Sequence, residues 1–456
     1  MEETDRLAAL EAKIAALTET VATKDARIAE LERLLEEVRR SGKRQSAPFS
    51  KGKPKEEWDT SGRKKGEAHG RHGHRPSPPE PDRFADAPLP EYCPHCGDGL
   101  DFERWADQFQ TELPPLRPVV TKFRVGVGRC RGCRRRVQGR HPEQTSDALG
   151  AAGSQVGPRA MGWGTWLHYG LGLSFGKCST VLGRLGINAT AGAIASSAAS
   201  ASTDLALTHS AIKAHVASAP AVVMDETGWR IGGRGAWLWV AATDDATVYD
   251  VAHDRDFAAA TNLVPADYAG TVVRDGWVVY NSYTSATHQT CLAHLLRRAH
   301  EMIEDLPAWA RGTPRQVRDL LIEALDARGL DERARAAAVI DIGERVDLLL
   351  DRPHPHDANR KLIKHLRHER AALFTFLLTD GVDATNWRGE QGVRPAVVNR
   401  KVWGGNRSDQ GAETQGRVMT FLRTAHQQGA DAIAMLVDLA RAPTPGVVAG
   451  LTLRSG

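Results

Sequence analysis

The chain has 456 residues, 41% hydrophobic and 25% charged, with a formal net charge of +4. That length exceeds one ordinary core and predicts roughly two to four modules, one of them enzyme-sized, while no apolar run of about 18 residues is present to cross a membrane. The start, MEETDRLAALEAK, has no apolar core behind a basic end and no small-residue cleavage site, which excludes a secretory signal and predicts a cytoplasmic protein that avoids membranes.

Residues 1–40 repeat apolar side chains every three and four positions. Leu7, Ile14, Val21, Ile28 and Leu35 form one series, and Leu10, Leu17, Leu31 and Val38 the other, with Lys24 as the single polar interruption. These are a and d positions of a heptad. β-Branched residues at a with Leu at d favour a parallel dimer, so this helix is expected to form a homodimer or higher oligomer. Residues 41–90 are a basic linker too poor in apolar side chains to fold. Lys51 and Lys53 stand in it with Lys43, Arg44, Lys55, Arg63, Lys64, Lys65, Arg71 and Arg75, against Glu56, Glu57, Asp59 and Glu67. Such a segment can neutralise phosphates without reading bases.

Four of the six cysteines form two C-x-x-C pairs within residues 91–145, Cys93 with Cys96 and Cys130 with Cys133. In a cytoplasmic chain that spacing points to metal rather than to disulfides, and four thiolates suit a tetrahedral structural zinc. A strand hairpin between the knuckles would make a zinc ribbon. Arg134, Arg135 and Arg136, with Arg129 and Arg131, crowd the second knuckle and give it a cationic face for DNA. Over residues 146–215, FGKCSTVLGRL and TAGAIASSAAS flank a turn in the outline of a helix-turn-helix.

Residues 216–290 read as strands. APAVVMDETGW starts with a buried-strand pattern that ends in Asp225; AWLWVAATDD and ATVYDVAHD form a hairpin turning at Asp244 and Asp245; GTVVRDGWVVY carries Asp275. An acid on a first strand, a hairpin, and a second acid on a later strand is the order of a ribonuclease H-like fold. Residues 291–380 turn helical and read as an amphipathic insertion. Residues 381–440 contain NWRGEQGVRPAVVNRKVW, which places Glu390 on a helix among Arg394, Arg400 and Lys401; residues 441–456 are a tail. Glu226 would point to the opposite face of its strand from Asp225. Glu413 is an alternative third acid. Phosphodiester chemistry accounts for the need for three carboxylates, since two magnesium ions about 4 Å apart can stabilise the attacking and leaving oxygens and require hard oxygen ligands.

The sequence resembles the insertion sequence 66 family of bacterial transposases along nearly its whole length. The zipper, PFSKGK, GRKKGEAHGRHGHRP, CPHCG, CRGC, VGPRAMGWGTWLHYGLGLSFGK, DETGWR, RDGWVVYN, CLAHLLRRAHEM and NWRGEQGVRPAVVNRKVWGGNRSDQGAE carry the resemblance. It implies that Asp225, Asp275 and Glu390 are the DDE catalytic acids holding magnesium or manganese. The family more often has Ala-Glu-Arg where this chain has Gly389, Glu390 and Gln391. Cys291 and His294 match a family C-x-x-H motif, and His294, Arg297 and Arg298 would reach phosphates of a DNA end.

Together these readings predict a multidomain α+β protein: coiled coil, zinc ribbon, helix-turn-helix-like domain, and a ribonuclease H-like α/β catalytic domain with a helical insertion. The expected activity is metal-dependent cleavage and strand transfer of transposon DNA. Small accessory proteins and association with the bacterial nucleoid are further expectations. A catalytically inactive DNA-binding regulator or accessory subunit, and a ribonuclease H-like nuclease with other substrates, are the competing readings.

Overall fold

A computed structural model of the protein describes residues 76–454. The heptad helix and both Lys51 and Lys53 lie outside the described residues. The chain divides after Arg117 into two compact units. In the first, residues 76–117 form neither helix nor strand. Their one tight feature is the first cysteine knuckle, where the Cys93 N–H donates to the Asp98 carbonyl (2.8 Å), the Gly97 N–H donates to the Cys93 carbonyl (2.9 Å), and Gly97 takes a φ of +80°.

The second unit opens with the short antiparallel strands β1 (Val127–Arg129) and β2 (Arg136–Gln138), which flank the second knuckle. Residues 99–126, between the knuckles, contain no strand. Four helices follow: α1 (Pro158–Tyr169), α2 (Phe175–Arg184), α3 (Ala191–Asp204) and α4 (Ala206–Ala217). Ser174 and Thr190 start α2 and α3 by accepting from the N–H groups of Lys177 and Ala193. Helix α3 buries Ile194, Ala198 and Ser202 and contains no Lys or Arg.

The central sheet contains β3 (Ala221–Ile231), β4 (Arg234–Ala242), β5 (Thr247–Ala252), β6 (Thr271–Arg274) and β7 (Thr287–Thr290), with the short helix α5 (Phe257–Thr261) after β5. Its order is β5-β4-β3-β6-β7: the first three strands are antiparallel neighbours, and β6 and β7 are added in parallel. The β4–β5 turn falls at Asp244 and Asp245, as the hairpin reading has it. Strand β3 does not end at Asp225; it runs on through Glu226 to Ile231, because the β4 ladder pairs every residue from Val223 to Ile231.

Beyond β7 come α6 (Leu292–Asp305), α7 (Gly312–Ala327), α8 (Glu332–Asp351), α9 (Asp357–Glu369) and α10 (Thr375–Leu378), then α11 (Trp387–Trp403), α12 (Asp409–Gln427) and α13 (Ala432–Arg441). The period of two along β3 separates the cores. Val222 and Met224 pack with Ile212 and Val216 of α4, whereas Val223 joins Leu295, Leu320, Val346 and Leu362 of α6 to α9. Val240, the ladder partner of Asp225, packs against Val393 and Ala396 of α11 and Val418 and Phe421 of α12. Each fully buried aliphatic side chain in these clusters contributes about 1.5–3 kcal/mol. A mixed α+β fold with a central sheet results. Among the described residues no helix is long and apolar enough to cross a membrane.

Candidate active site

Register places the two aspartates. Strands β3 and β6 pair in parallel only as far as Val223 with Val273, so Asp225 and Asp275 each lie two residues past the last paired position. The strands part there, β6 ending at Arg274 while β3 continues along β4 to Ile231, and a crevice opens between them. A carboxylate from each strand arrives at the same level.

Glu390 comes from the first turn of α11. Two contacts dock that turn against the start of α6: the Leu292 N–H donates to the Ala384 carbonyl (3.0 Å) and the Asn386 N–H to Cys291 Sγ (3.2 Å). His294 Nε2 consequently stands 3.7 Å from Glu390 Oε1, and the Arg297 guanidinium 4.0 Å away. Gly389 lets α11 close on the sheet. A Cβ there would lie 2.1 Å from Asn386 Oδ1 and 2.9 Å from Asp225 Cβ, so the glycine that departs from the commoner family pattern has a steric role in this chain.

The electrostatics tie the three acids together. Burial pushes the Asp225 carboxyl well above the usual carboxylate range, and the charges of Glu226, Asp275 and Glu390 push it further, against one hydrogen bond from the Glu226 N–H (2.8 Å). Like charges are being crowded in a low-dielectric crevice, where a bound cation would relieve the repulsion. Among the described residues no group of three or more His, Cys, Asp or Glu side chains is arranged to hold a metal ion. The acids acting on Asp225 carry hard carboxylate oxygens, the type that magnesium and manganese take.

Glu226 faces away from Asp225, as strand alternation predicts, yet it is tied to the second acid. Its side chain accepts from Tyr280 Oη and pairs with Arg255, whose Nε lies 3.0 Å from Glu226 Oε1. The Arg255 guanidinium carbon sits 3.8 Å from the Trp277 ring centroid and 4.5 Å from that of Trp237, and the Trp277 N–H donates to Asp275 Oδ1 (2.9 Å). The loop presenting Asp275 is thus clamped through a cation between two indoles. Neither Arg255 nor Tyr280 stands out in the sequence, since their partners are distant along the chain.

Arg274 secures the same loop from the other side. Its side chain and that of Glu369 on α9 are buried and paired at 2.5 Å. Arg274 also donates to the Asp275 carbonyl (3.0 Å) and Asn281 Oδ1 (2.9 Å). His365 of α9 packs on Gly276, where a Cβ would lie 2.6 Å from its Nε2.

The remaining cations divide into two groups. Arg134, Arg135, Arg136, Arg297, Arg394 and Lys401 are exposed. Arg298 is partly buried with Nη1 2.9 Å from His365 Nδ1, and Arg400 is engaged by the Gly228 carbonyl of β3. Glu413 pairs with Arg417 on α12 and shares a groove with His209, Asp250 and His253; the acids acting on Asp225 are Glu226, Asp275 and Glu390. At the second knuckle the Cys130 N–H donates to the Arg135 carbonyl (2.9 Å) and the Arg134 N–H to the Cys130 carbonyl (3.0 Å), with Arg134 at a φ of 58°. Backbone N–H groups of the knuckles, from His95 for Cys93 and from Cys133 for Cys130, hold both thiols below their usual range.

Residues 153–414 match the family model described as "Transposase IS66 family". No curated protein matches the chain.

Proposed function

The chain belongs to the IS66 family of transposases, and from that premise we propose that residues 216–440, with 291–380 as a helical insertion, form a ribonuclease H-like catalytic domain for metal-dependent cleavage and strand transfer of transposon DNA. Asp225, Asp275 and Glu390 are its metal-holding acids. The observation that supports this most is the shared register of Asp225 and Asp275 where β3 and β6 part, with Glu390 acting on Asp225 from α11.

When bound, magnesium or manganese supplies positive charge to the attacking and leaving oxygens of an in-line displacement. The chain's own groups position the reactants. The Trp277 N–H and the Glu226–Arg255 clamp hold the Asp275 loop in one orientation. Arg297 sets positive charge beside Glu390, with the His294 ring alongside it, where a phosphate must approach three carboxylates. Arg134, Arg135, Arg136, Arg394 and Lys401 offer exposed cations to the DNA backbone, contacts that position a duplex without reading it.

The C-x-x-C spacing of Cys93 with Cys96 and of Cys130 with Cys133 supports a structural zinc on these thiols as a further part of the proposal. Residues 1–40 are the proposed dimerisation helix, and small accessory proteins are proposed partners in the nucleoid.

The test is nicking of DNA bearing the element's own ends in magnesium. Asp225→Asn and Asp275→Asn should each lower the rate by about a hundredfold or more while the protein still shifts the DNA. An Asp275→Asn protein that nicks as fast as the parent sinks the assignment.

A further inference from the structure

Asn386 is the residue before α11, and it is fully buried. An asparagine in that place ordinarily folds its side-chain oxygen onto an N–H of the first helical turn. Asn386 does not; its φ and ψ are −83° and 28°, and its side chain makes no cap bond. Neither Oδ1 nor Nδ2 has a hydrogen-bond partner among the described residues. Buried amides are nearly always paired, because their lost hydration is otherwise uncompensated.

The amide oxygen lies near Asp225. The position a Cβ would take on Gly389 is 2.1 Å from Asn386 Oδ1 and 2.9 Å from Asp225 Cβ, so these two atoms are no further apart than those distances combined. His294 Nδ1, on the residue beside Glu390, is likewise buried without a partner among the described residues.

We propose that the side-chain oxygen of Asn386 is a further ligand, beside Asp225 and Glu390, to the divalent ion of the active site. The inference rests on the reading of those acids given above. A neutral amide oxygen is a hard donor of the kind magnesium and manganese accept, and it adds no negative charge where carboxylates already repel. Coordination would also satisfy the unpaired oxygen, and Gly389 would be required to keep the path to it open.

The probe is Mn2+ binding to the full-length protein without DNA, followed by calorimetry or electron paramagnetic resonance together with the metal-free thermal midpoint. Asp225→Asn should abolish binding at this site; if it does not, the reading of the acids and this inference fall together. With that loss established, Asn386→Leu, similar in shape but unable to coordinate, should weaken Mn2+ binding by about tenfold, with a metal-free midpoint at or above that of the parent. Asn386→Asp, which keeps an oxygen in place, should bind Mn2+ at least as tightly as the parent. Unchanged Mn2+ affinity in Asn386→Leu overturns the inference alone, whether or not DNA binding drops. Should that variant fail to fold, Asn386→Asp decides: Mn2+ binding at least as tight as the parent's supports the assignment, weaker binding overturns it.

Discussion

Removing the carboxylate of Glu369 should destabilise the large unit and misplace Asp275 together. Arg274 and Glu369 are both enclosed, and the unpaired guanidinium left by Glu369→Ala would keep only the Asp275 carbonyl and Asn281 as acceptors. Breaking a buried pair on one side costs about 3–5 kcal/mol, because the stranded charge cannot regain its hydration. Glu369→Gln retains an oxygen toward Arg274 and should cost less, about 1.5–3 kcal/mol, the worth of a hydrogen bond to a charged group. Replacing both, Arg274→Met with Glu369→Leu, removes the stranded charge, and the double variant should return to within about 1 kcal/mol of the parent or exceed it. Urea denaturation of the four proteins ranks their stabilities, and DNA nicking gives the functional counterpart. If Glu369→Ala loses less than about 1 kcal/mol, the pair is not enclosed as described. If it is destabilised yet nicks at the parental rate, Arg274 has no part in seating Asp275.

Gly389→Ala gains about 1 kcal/mol of helix propensity but forces a methyl against Asn386 and Asp225. It should lower nicking by about a hundredfold through a shift of about 1 Å in the acids, and a fully active, stabilised variant would refute the close approach. Asp225 gives a pH signature. A carboxyl whose folded pKa lies above its unfolded one holds its proton more tightly when folded, so its stabilising contribution is present at low pH and is lost as pH rises through the folded value. Metal-free Asp225→Asn should therefore exceed the parent in thermal stability near neutral pH by on the order of 1 kcal/mol, with the gap closing toward about pH 4; an equal gap at both ends would contradict that origin. For the cysteines, elemental analysis should find about one zinc per chain and little in Cys96→Ser or Cys133→Ser. Zinc retained in both variants would remove the ribbon.

How much could be read beforehand depended on whether the determining contacts were local. The unbroken apolar run Val222, Val223 and Met224 carried the first strand, and Asp275 followed from a second apolar run at Val272 and Val273. The extent of β3 beyond Asp225 was hidden, since Glu226 and Gly228 are weak strand formers that the β4 ladder holds extended. Glu390 had no strand pattern to mark it and rested on family resemblance. The groups around these acids were least legible: Arg255 meets Glu226, Glu369 meets Arg274, and Asn386 meets Cys291 across intervals that only tertiary packing closes. Local spacing made His294, Arg297 and Arg298 one basic cluster, whereas the fold turns Arg298 toward His365 and leaves His294 beside Glu390.

The insertion α6 to α10 also imposes an order in time. Two acids leave the ribosome before it, and the third only after it, so a growing chain carries a folded sheet edge long before it carries a complete set of carboxylates. A polypeptide stopped within the insertion carries the knuckles, their arginines and two of the three proposed acids, but not Glu390. On the proposed reading, the depth of Glu390 in the reading frame means that only a chain translated past the whole insertion carries all three acids.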